Sequence, residues 1–249
     1  MGCMASLLSM FTRLPARGGE PRSAAKCAYL LPSIAALEAL IASIPLLFLG
    51  CCPLLAAVAS YALHAYVTGG IHLDGLLDYA DAALPGLRGG DALRVMKDPR
   101  RGAGALIVGV VHALLAVAAL RVLLESLGGW RAAALLVAAY AACSAFMLFA
   151  LLLLPPEPYG GLARIFRDAL GEGVRPVAVC AQLLFYSLLG LFSPLALLGG
   201  LVASMLAWLA VLRDAYRRLG FATGDVAGAC FEVCRAAFLL GAVIALRLA

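Results

Sequence analysis

Long apolar blocks separated by short polar segments make up most of the chain from about residue 28 onward. Seven blocks approach the length of about 20 apolar residues that a helix needs to cross a bilayer. They lie at roughly 28–48, 51–68, 104–124, 132–154, 174–193, 195–212 and 227–247. The second and sixth blocks are short and lie beside Pro53 and Pro194, which is typical of segments that tilt little or are partly re-entrant. The pattern predicts an all-α fold: a polytopic integral membrane protein with about seven transmembrane helices.

The composition supports a membrane protein with a single domain. Hydrophobic residues make up 64% of the chain and charged residues 13%, whereas soluble domains carry about 25% charged residues. Neither a linker nor an internal repeat divides residues 1–249, so one helical membrane domain is expected. No basic region precedes an apolar patch at the N-terminus, so no signal peptide is predicted. The net charge of +5 requires no nucleic-acid partner, because membrane orientation explains where the basic residues lie.

The basic residues are distributed unevenly between the apolar blocks. Most of the 19 lie before the first block or after the second, fourth and sixth: Arg13, Arg17, Arg22, Lys26, Arg88, Arg94, Lys97, Arg100, Arg101, Arg164, Arg167, Arg175, Arg213, Arg217 and Arg218. The positive-inside rule therefore predicts a cytoplasmic N-terminus and an external C-terminus, in the cell membrane of a prokaryote. Polar segments at about 68–103, 155–173 and 213–226 would face the cytoplasm, where chemistry on polar substrates is expected.

Three carboxylates, Asp74, Asp78 and Asp81, lie within eight residues directly after the second apolar block. Spacings of four and three place them on one helical stripe about 60° wide. Carboxylates this close repel one another unless protons or cations neutralise them. Oxygen ligands at this density suit Mg²⁺, which is commonly shared with substrate phosphates. Gly75 borders the stripe and is expected to leave room for a ligand; a solvated acidic helix end is the alternative.

His72 precedes the carboxylates and has two equally weighted interpretations. If the helix already includes His72, its side chain points about 160° away from the stripe and serves in packing. If a turn at Gly69 and Gly70 continues through it, the imidazole reaches the site as a proton carrier.

A second charged cluster, in the run DALRVMKDPRRGAGAL, contains Lys97, Asp98, Arg100 and Arg101. Cations beside a carboxylate site can hold phosphate oxygens and stabilise charge that develops during group transfer. The alternative is general surface charge, because any cytoplasmic loop of a membrane protein tends to be basic.

Other polar residues inside the apolar blocks carry weaker signals. The eight cysteines include no CxxC pair, so neither a zinc site nor a redox motif is expected. Cys230 and Cys234 are interpreted as small core residues. Glu232 either forms an ion pair with Arg235 three residues later or belongs to the site. Glu38 has no assigned role.

The runs TGGIHLDGLLDYADAA and VMKDPRRGAGAL resemble the signature region of the cobalamin synthase family, the adenosylcobinamide-GDP ribazoletransferases. FTRLP at 11–15 and LGFATGDVAGACFE at 219–232 are similar to the N-terminal and C-terminal patches of that family. The four patches keep the family's order over nearly the full length. The chain departs from the pattern at Ala82 and Ala83, where the family usually has Gly after the third Asp, and at Ala145, where an Arg is expected.

The resemblance implies an Mg²⁺-dependent transferase that joins α-ribazole, or its 5′-phosphate, to adenosylcobinamide-GDP and releases GMP. Asp74, Asp78 and Asp81 would hold the metal, and Asp98 would complete its coordination. One of these aspartates, or His72, would accept the proton of the attacking hydroxyl.

Further residues of the similar runs would bind the substrates. Lys97, with Arg100 or Arg101, would steady the departing GMP phosphate. Thr223, Gly224 and Asp225 would close the site, with Asp225 acting either there or only as a helix N-cap.

Expected partners besides the two substrates are membrane lipid, other cobamide-assembly enzymes and a second copy of the chain. The alternatives are another Mg²⁺-dependent membrane phosphotransferase or prenyltransferase, and a cation transporter in which the aspartates line an ion path.

Overall fold

The computed structural model describes residues 2–171, 173 and 175–249. Glu172, in the predicted segment 155–173, and Val174, at the start of the predicted block 174–193, lie outside the described residues, as does Met1. In the described ranges, the α-helices are α1 Cys3–Phe11, α2 Pro21–Ala25, α3 Leu31–Ala42, α4 Ile44–Phe48, α5 Pro53–Thr68, α6 Ile71–Ala83, α7 Gly89–Met96, α8 Ala103–Leu127, α9 Gly129–Leu153, α10 Leu162–Leu170, α11 Arg175–Leu189, α12 Pro194–Arg218 and α13 Gly224–Leu248.

The length and hydropathy of the helices confirm a polytopic membrane fold. Six described helical segments are long and apolar enough to cross a membrane: Ala28–Phe48, Ala103–Leu127, Gly129–Leu153, Arg175–Phe192, Pro194–Arg218 and Gly224–Leu248. The pair α5 and α6 passes the same test together but bends by 94° at the break between the helices. Gly69 and Gly70 form this break with φ values of +62° and +73°, a conformation that glycine adopts without strain. The predicted all-α fold with about seven spans is therefore confirmed.

The sixth span differs from its prediction. The sequence indicated a short block at 195–212 followed by a polar segment, but α12 runs for 25 residues to Arg218. Asp214 and Arg218 lie one turn apart in this helix, with 2.9 Å between Oδ1 and Nη2. Since charged residues at this spacing support a helix, α12 continues past the end of the apolar run.

The core of the bundle forms around α9, which is buried along nearly all of its length. α3, α11 and α13 pack against it, and α13 also packs along α12 and across α6. Cys230 and Cys234 are buried in this core, as predicted. Cys3 and Cys27 form a disulfide that was not predicted from the sequence. Their separation along the chain carries no signal, because the pairing depends on how α1 and α2 pack.

The polar connections gather at one end of the bundle, here called the polar end. The backbone N–H of Arg13 donates to the carbonyl of Val67 at 2.7 Å, which joins the N-terminal segment to the end of α5. The N–H of Ala222 donates to the carbonyl of Pro155 at 2.9 Å, which joins the α12–α13 connection to the segment after α9. Residues far apart in sequence therefore meet at the polar end.

Candidate active site

The helix α6 presents the predicted carboxylates at the polar end, but they do not share one set of partners. Asp74 is largely exposed and Asp78 is partly buried, and both form ion pairs with Arg101, which lies just before α8. One guanidinium thus pairs with two carboxylates on successive turns of α6 and offsets one of their two negative charges. This relieves the repulsion that two neighbouring negative charges would otherwise produce.

Asp81, the third carboxylate, faces the start of α8. Its Oδ2 accepts the backbone N–H of Gly102 and its Oδ1 accepts that of Ala105, both at 2.7 Å. The first N–H groups of a helix have no partner within the helix, and a carboxylate there is favoured by the helix dipole. A Cβ atom at Gly102 would lie 2.6 Å from Oδ1 of Asp81, so glycine permits this approach. The structure thus gives Asp81 a helix-terminal contact, and its metal role stays a prediction.

Asp98 also has its own cationic partner. Arg100 donates to it through Nε at 3.0 Å and Nη2 at 2.7 Å, and through its backbone N–H at 2.9 Å. The side chain of Arg100, together with its backbone N–H, lowers the pKa of Asp98 to about 2. Among the described residues, no three Asp, Glu, His or Cys side chains converge in a group able to hold a metal ion. The structure therefore brings together Asp74 and Asp78, but not all four predicted ligands.

Lys97 connects this region to the first turn of α13. Its Nζ lies 3.0 Å from Oδ2 of Asp225. The prediction that Asp225 is an N-cap is wrong, because Thr223 occupies that position and its Oγ1 accepts the N–H of Val226 at 3.2 Å. Extended backbone at Thr223 directs its hydroxyl over the first helical turn, as an N-cap requires. The side chain of Asp225 therefore does not cap α13 and instead forms the ion pair with Lys97. Gly224, the neighbouring residue, is exposed.

The crossing of α6 and α13 is close enough that the two backbones touch. A Cβ atom at Gly228 would lie 2.9 Å from the carbonyl oxygen of His72, and one at Gly75 would lie 3.0 Å from that of Asp225. Glycine at this position permits the close approach of α13, which brings Asp225 beside α6. Gly75 also lines a cavity between these helices, so its expected place beside a ligand stays a prediction.

His72 belongs to α6, which matches the first of its two interpretations. The imidazole is buried and stacks on Phe231 at 4.4 Å between ring centroids and on Phe11 at 5.9 Å. It lines a cavity of about 190 Å³, and Asp74 and Asp225 lie on the same cavity wall. The imidazole therefore packs between the rings of Phe11 and Phe231 and also forms part of the cavity wall.

Two aromatic residues of this cavity were not among the predicted site residues. Phe11 comes from α1 and Phe166 from α10, and their rings meet edge to face with centroids 5.7 Å apart. The four-residue spacing of Leu162, Phe166 and Leu170 is typical of an amphipathic helix and could have revealed α10. The sequence carries no comparable signal for the position of Phe11.

A buried polar network lies behind the cavity. Glu232 accepts a hydrogen bond from Nη2 of Arg235 at 2.6 Å, so the predicted ion pair is present. His64 Nε2 lies 3.3 Å from Oε1 of Glu232, and His112 Nε2 lies 3.2 Å from its carbonyl oxygen. Glu38 is buried, and its Oε2 has no hydrogen-bond partner among the described residues. No spacing in the sequence groups these side chains, because they come from four helices, α3, α5, α8 and α13.

Fold and site together define a multi-pass helical membrane protein with paired carboxylates and a shared arginine at its polar end. Residues 3–243 match the family model described as cobalamin-5-phosphate synthase. The chain belongs to this family.

Curated relatives carry one common name, adenosylcobinamide-GDP ribazoletransferase. The protein of Pyrobaculum aerophilum is 35% identical over 245 residues, which cover 96% of this chain and 95% of the relative. That of Stutzerimonas stutzeri is 37% identical over 239 residues, covering 94% and 93%. That of Pseudomonas putida is 39% identical over 193 residues, covering 76% and 75%. No solved structure matches the chain.

Proposed function

We propose that this protein is an adenosylcobinamide-GDP ribazoletransferase, which assembles the nucleotide loop of cobalamin. The observation that carries the proposal is the pair Asp74 and Asp78, joined by Arg101, in a chain that matches enzymes of that name over nearly its whole length. In such a reaction α-ribazole supplies the attacking hydroxyl, and adenosylcobinamide-GDP carries the diphosphate. Carboxylates and cations at a membrane edge are suited to bringing such groups together.

The reaction is one phosphoryl transfer. A ribose hydroxyl oxygen of α-ribazole, or of its 5′-phosphate, forms a bond to the phosphorus that is attached to cobinamide. The bond from this phosphorus to the bridging oxygen of the diphosphate breaks, and GMP leaves with that oxygen. The hydroxyl proton passes to the carboxylate of Asp74, which is largely exposed at the polar end.

The cationic residues would hold the phosphate oxygens. Arg101 lies between two carboxylates and can exchange one of them for a phosphate oxygen, since guanidinium binds both groups in the same planar manner. Lys97 and Arg100 are exposed beside it and would steady the phosphate of the departing GMP. Asp225 positions Lys97 through their ion pair, so α13 takes part in the arrangement.

The residues present fit a magnesium ion that is shared with substrate. Asp74 and Asp78 are two oxygen donors that already share one cationic partner, and Mg²⁺ typically uses one or two carboxylates together with substrate phosphates. When bound, the ion would neutralise charge on the diphosphate. Asp74 and Asp78 would hold it, while Asp81 keeps its contact with α8.

The proposed location is the cell membrane of a prokaryote, with the polar end facing the cytoplasm. Fifteen of the 19 basic residues lie in the segments that the positive-inside rule assigns to that side. Lipid surrounds the exposed apolar side chains of the spanning helices. Assembly with a second copy, or with other cobamide-assembly enzymes, remains a prediction.

A product assay tests this proposal. Membranes containing the protein are incubated with adenosylcobinamide-GDP, α-ribazole 5′-phosphate and Mg²⁺, and nucleotides are separated by chromatography. We expect release of GMP that requires both substrates and stops when EDTA removes the divalent ion.

Other products would identify the alternatives. Release of CMP or pyrophosphate from their own donor substrates would indicate another membrane transferase. Flux of Mg²⁺ into vesicles without any nucleotide release would indicate a transporter. Absence of GMP from a folded, membrane-inserted protein would contradict the proposal.

A further inference from the structure

The cavity next to Asp74 has walls from six helices, and most of its lining side chains are apolar. The buried lining includes Leu31 on α3, Met147 and Leu148 on α9, and Phe166 on α10. Its volume of about 190 Å³ is below the range of about 300–1,000 Å³ that is typical of pockets for drug-sized ligands. A cavity of this size admits one flat bicyclic ring, whereas a corrinoid is far too large.

Among the described residues that line the cavity, those with polar side chains are His72, Asp74 and Asp225. The two carboxylates belong to the polar end, where the proposed phosphoryl transfer occurs. His72 is 6% exposed, and its imidazole has no hydrogen-bond partner among the residues that the structure describes. Because His72 lines the cavity and its ring nitrogens have no partner among the described residues, the imidazole is available to pair with a ligand there.

We infer that this cavity binds the aromatic base of α-ribazole, with His72 donating its ring N–H to the unsubstituted ring nitrogen of the base. This inference rests on the proposed function. The base is a benzimidazole with two methyl groups, so its edge is apolar apart from that one nitrogen. The ribose then extends toward Asp74 and Asp225, where its hydroxyl meets the phosphate.

The same walls disfavour purine bases. Guanine and adenine carry several donors and acceptors along their edges, and these would lose their water partners against Leu31, Met147 and Leu148. A site that leaves ligand polar groups unpaired discriminates strongly against that ligand. The guanine of the other substrate therefore binds elsewhere, and the cavity selects the lower base.

Measuring the binding of α-ribazole by itself tests whether its base occupies this cavity. Equilibrium dialysis against the detergent-solubilised full chain measures its affinity without cobinamide or turnover. Ala163→Leu adds bulk to the cavity wall on α10, and we expect the Kd to rise at least about tenfold. Ala169→Leu on the same helix lies outside the cavity and should leave the Kd unchanged. An unaltered Kd in folded Ala163→Leu would overturn the assignment.

The α-riboside of adenine tests the selectivity. Wild-type protein should bind it at least about tenfold more weakly than α-ribazole, because the purine edge stays unpaired. Equal binding of the two ribosides would overturn the selectivity of the cavity.

A second variant tests the hydrogen bond. His72→Phe keeps a ring between Phe11 and Phe231 but removes the N–H, so α-ribazole should bind about tenfold more weakly. The α-riboside of dimethylindole, which has no acceptor at the corresponding position, should bind wild type and variant equally. If His72→Phe weakens both ligands by the same factor, His72 serves only in packing and the hydrogen bond is refuted.

These measurements distinguish a failure of the proposed binding site from a failure of the proposed transfer reaction. Protein that binds α-ribazole in the expected manner but releases no GMP refutes the transfer and supports the cavity. Conversely, GMP release with the same KM for α-ribazole in wild type and Ala163→Leu refutes the cavity and supports the transfer. The KM for adenosylcobinamide-GDP should stay unchanged in Ala163→Leu, since that substrate does not enter the cavity.

Discussion

Asp78 is the carboxylate on which the proposed chemistry depends most, because it is 15% exposed whereas Asp74 is 61% exposed. Charge interactions are stronger where less water screens them. Asp78→Asn removes the charge and keeps the shape, so GMP formation should fall at least about a hundredfold while folding is retained. Rates of GMP release and elution on size-exclusion chromatography measure the two effects.

The control is Asp91→Asn on α7. Asp91 is also an aspartate of the polar end, but it is exposed, and its ion-pair partner among the described residues is Arg94 on the same helix. This variant should retain wild-type activity. Normal turnover by purified Asp78→Asn would contradict the role given to Asp78.

Asp81 distinguishes a structural role from a metal-binding role. Its two oxygens accept two N–H groups at the start of α8, and an Asn amide would present an NH₂ group to one of these donors. Asp81→Asn should therefore lower stability by about 1–3 kcal/mol, with an apparent Tm about 2–4 °C lower for each kcal/mol. Thermal unfolding in detergent measures this change, with Asp168→Asn on the exposed side of α10 as the control.

The opposite result would be informative. An Asp81→Asn protein with an unchanged Tm but no activity would contradict the helix-terminal role. It would favour the metal role that the sequence predicted.

At the scale of helices, the crossing of α6 and α13 holds the site together. Gly228→Ala would place a Cβ atom 2.9 Å from the carbonyl of His72, so the helices must separate. Overpacking of this kind costs about 1–3 kcal/mol, and it also shifts Asp225 away from α6. We expect both a lower Tm and slower GMP release.

Gly90→Ala on α7 is the matched control for this crossing. A Cβ atom at Gly90 meets no other atom within 4 Å, so the substitution should change neither property. If Gly228→Ala behaves like Gly90→Ala, the close approach of the helices is not needed for function.

At the scale of the whole molecule, six described segments are long enough to span the membrane, and α5 with α6 would form a seventh, which would place the two termini on opposite sides. Together with the positive-inside rule, this predicts an external C-terminus. Alkaline phosphatase fused after Ala249 should be active, whereas green fluorescent protein at the same position should remain dark. A fusion inserted at Gly86, near the polar end, should show the reverse pattern. Fluorescence at the C-terminus would contradict the orientation.

The sequence alone determined the helical membrane fold and the carboxylate stripe of α6. In a bilayer each backbone group must be satisfied within its own helix, so the length of an apolar run predicts a span directly. Helical periodicity likewise placed Asp74, Asp78 and Asp81 on one face, because that property depends only on neighbours along the chain. The ion pair of Glu232 with Arg235 is local in the same sense.

Only the tertiary structure decided which partner each of these residues meets. In the folded chain, Arg101 forms ion pairs with Asp74 and Asp78, and Asp81 accepts hydrogen bonds from backbone N–H groups at the start of α8. The tertiary structure also formed the cavity from helices far apart in sequence, and it joined Cys3 to Cys27. Such contacts depend on how distant helices pack, and local periodicity contains no information about that packing.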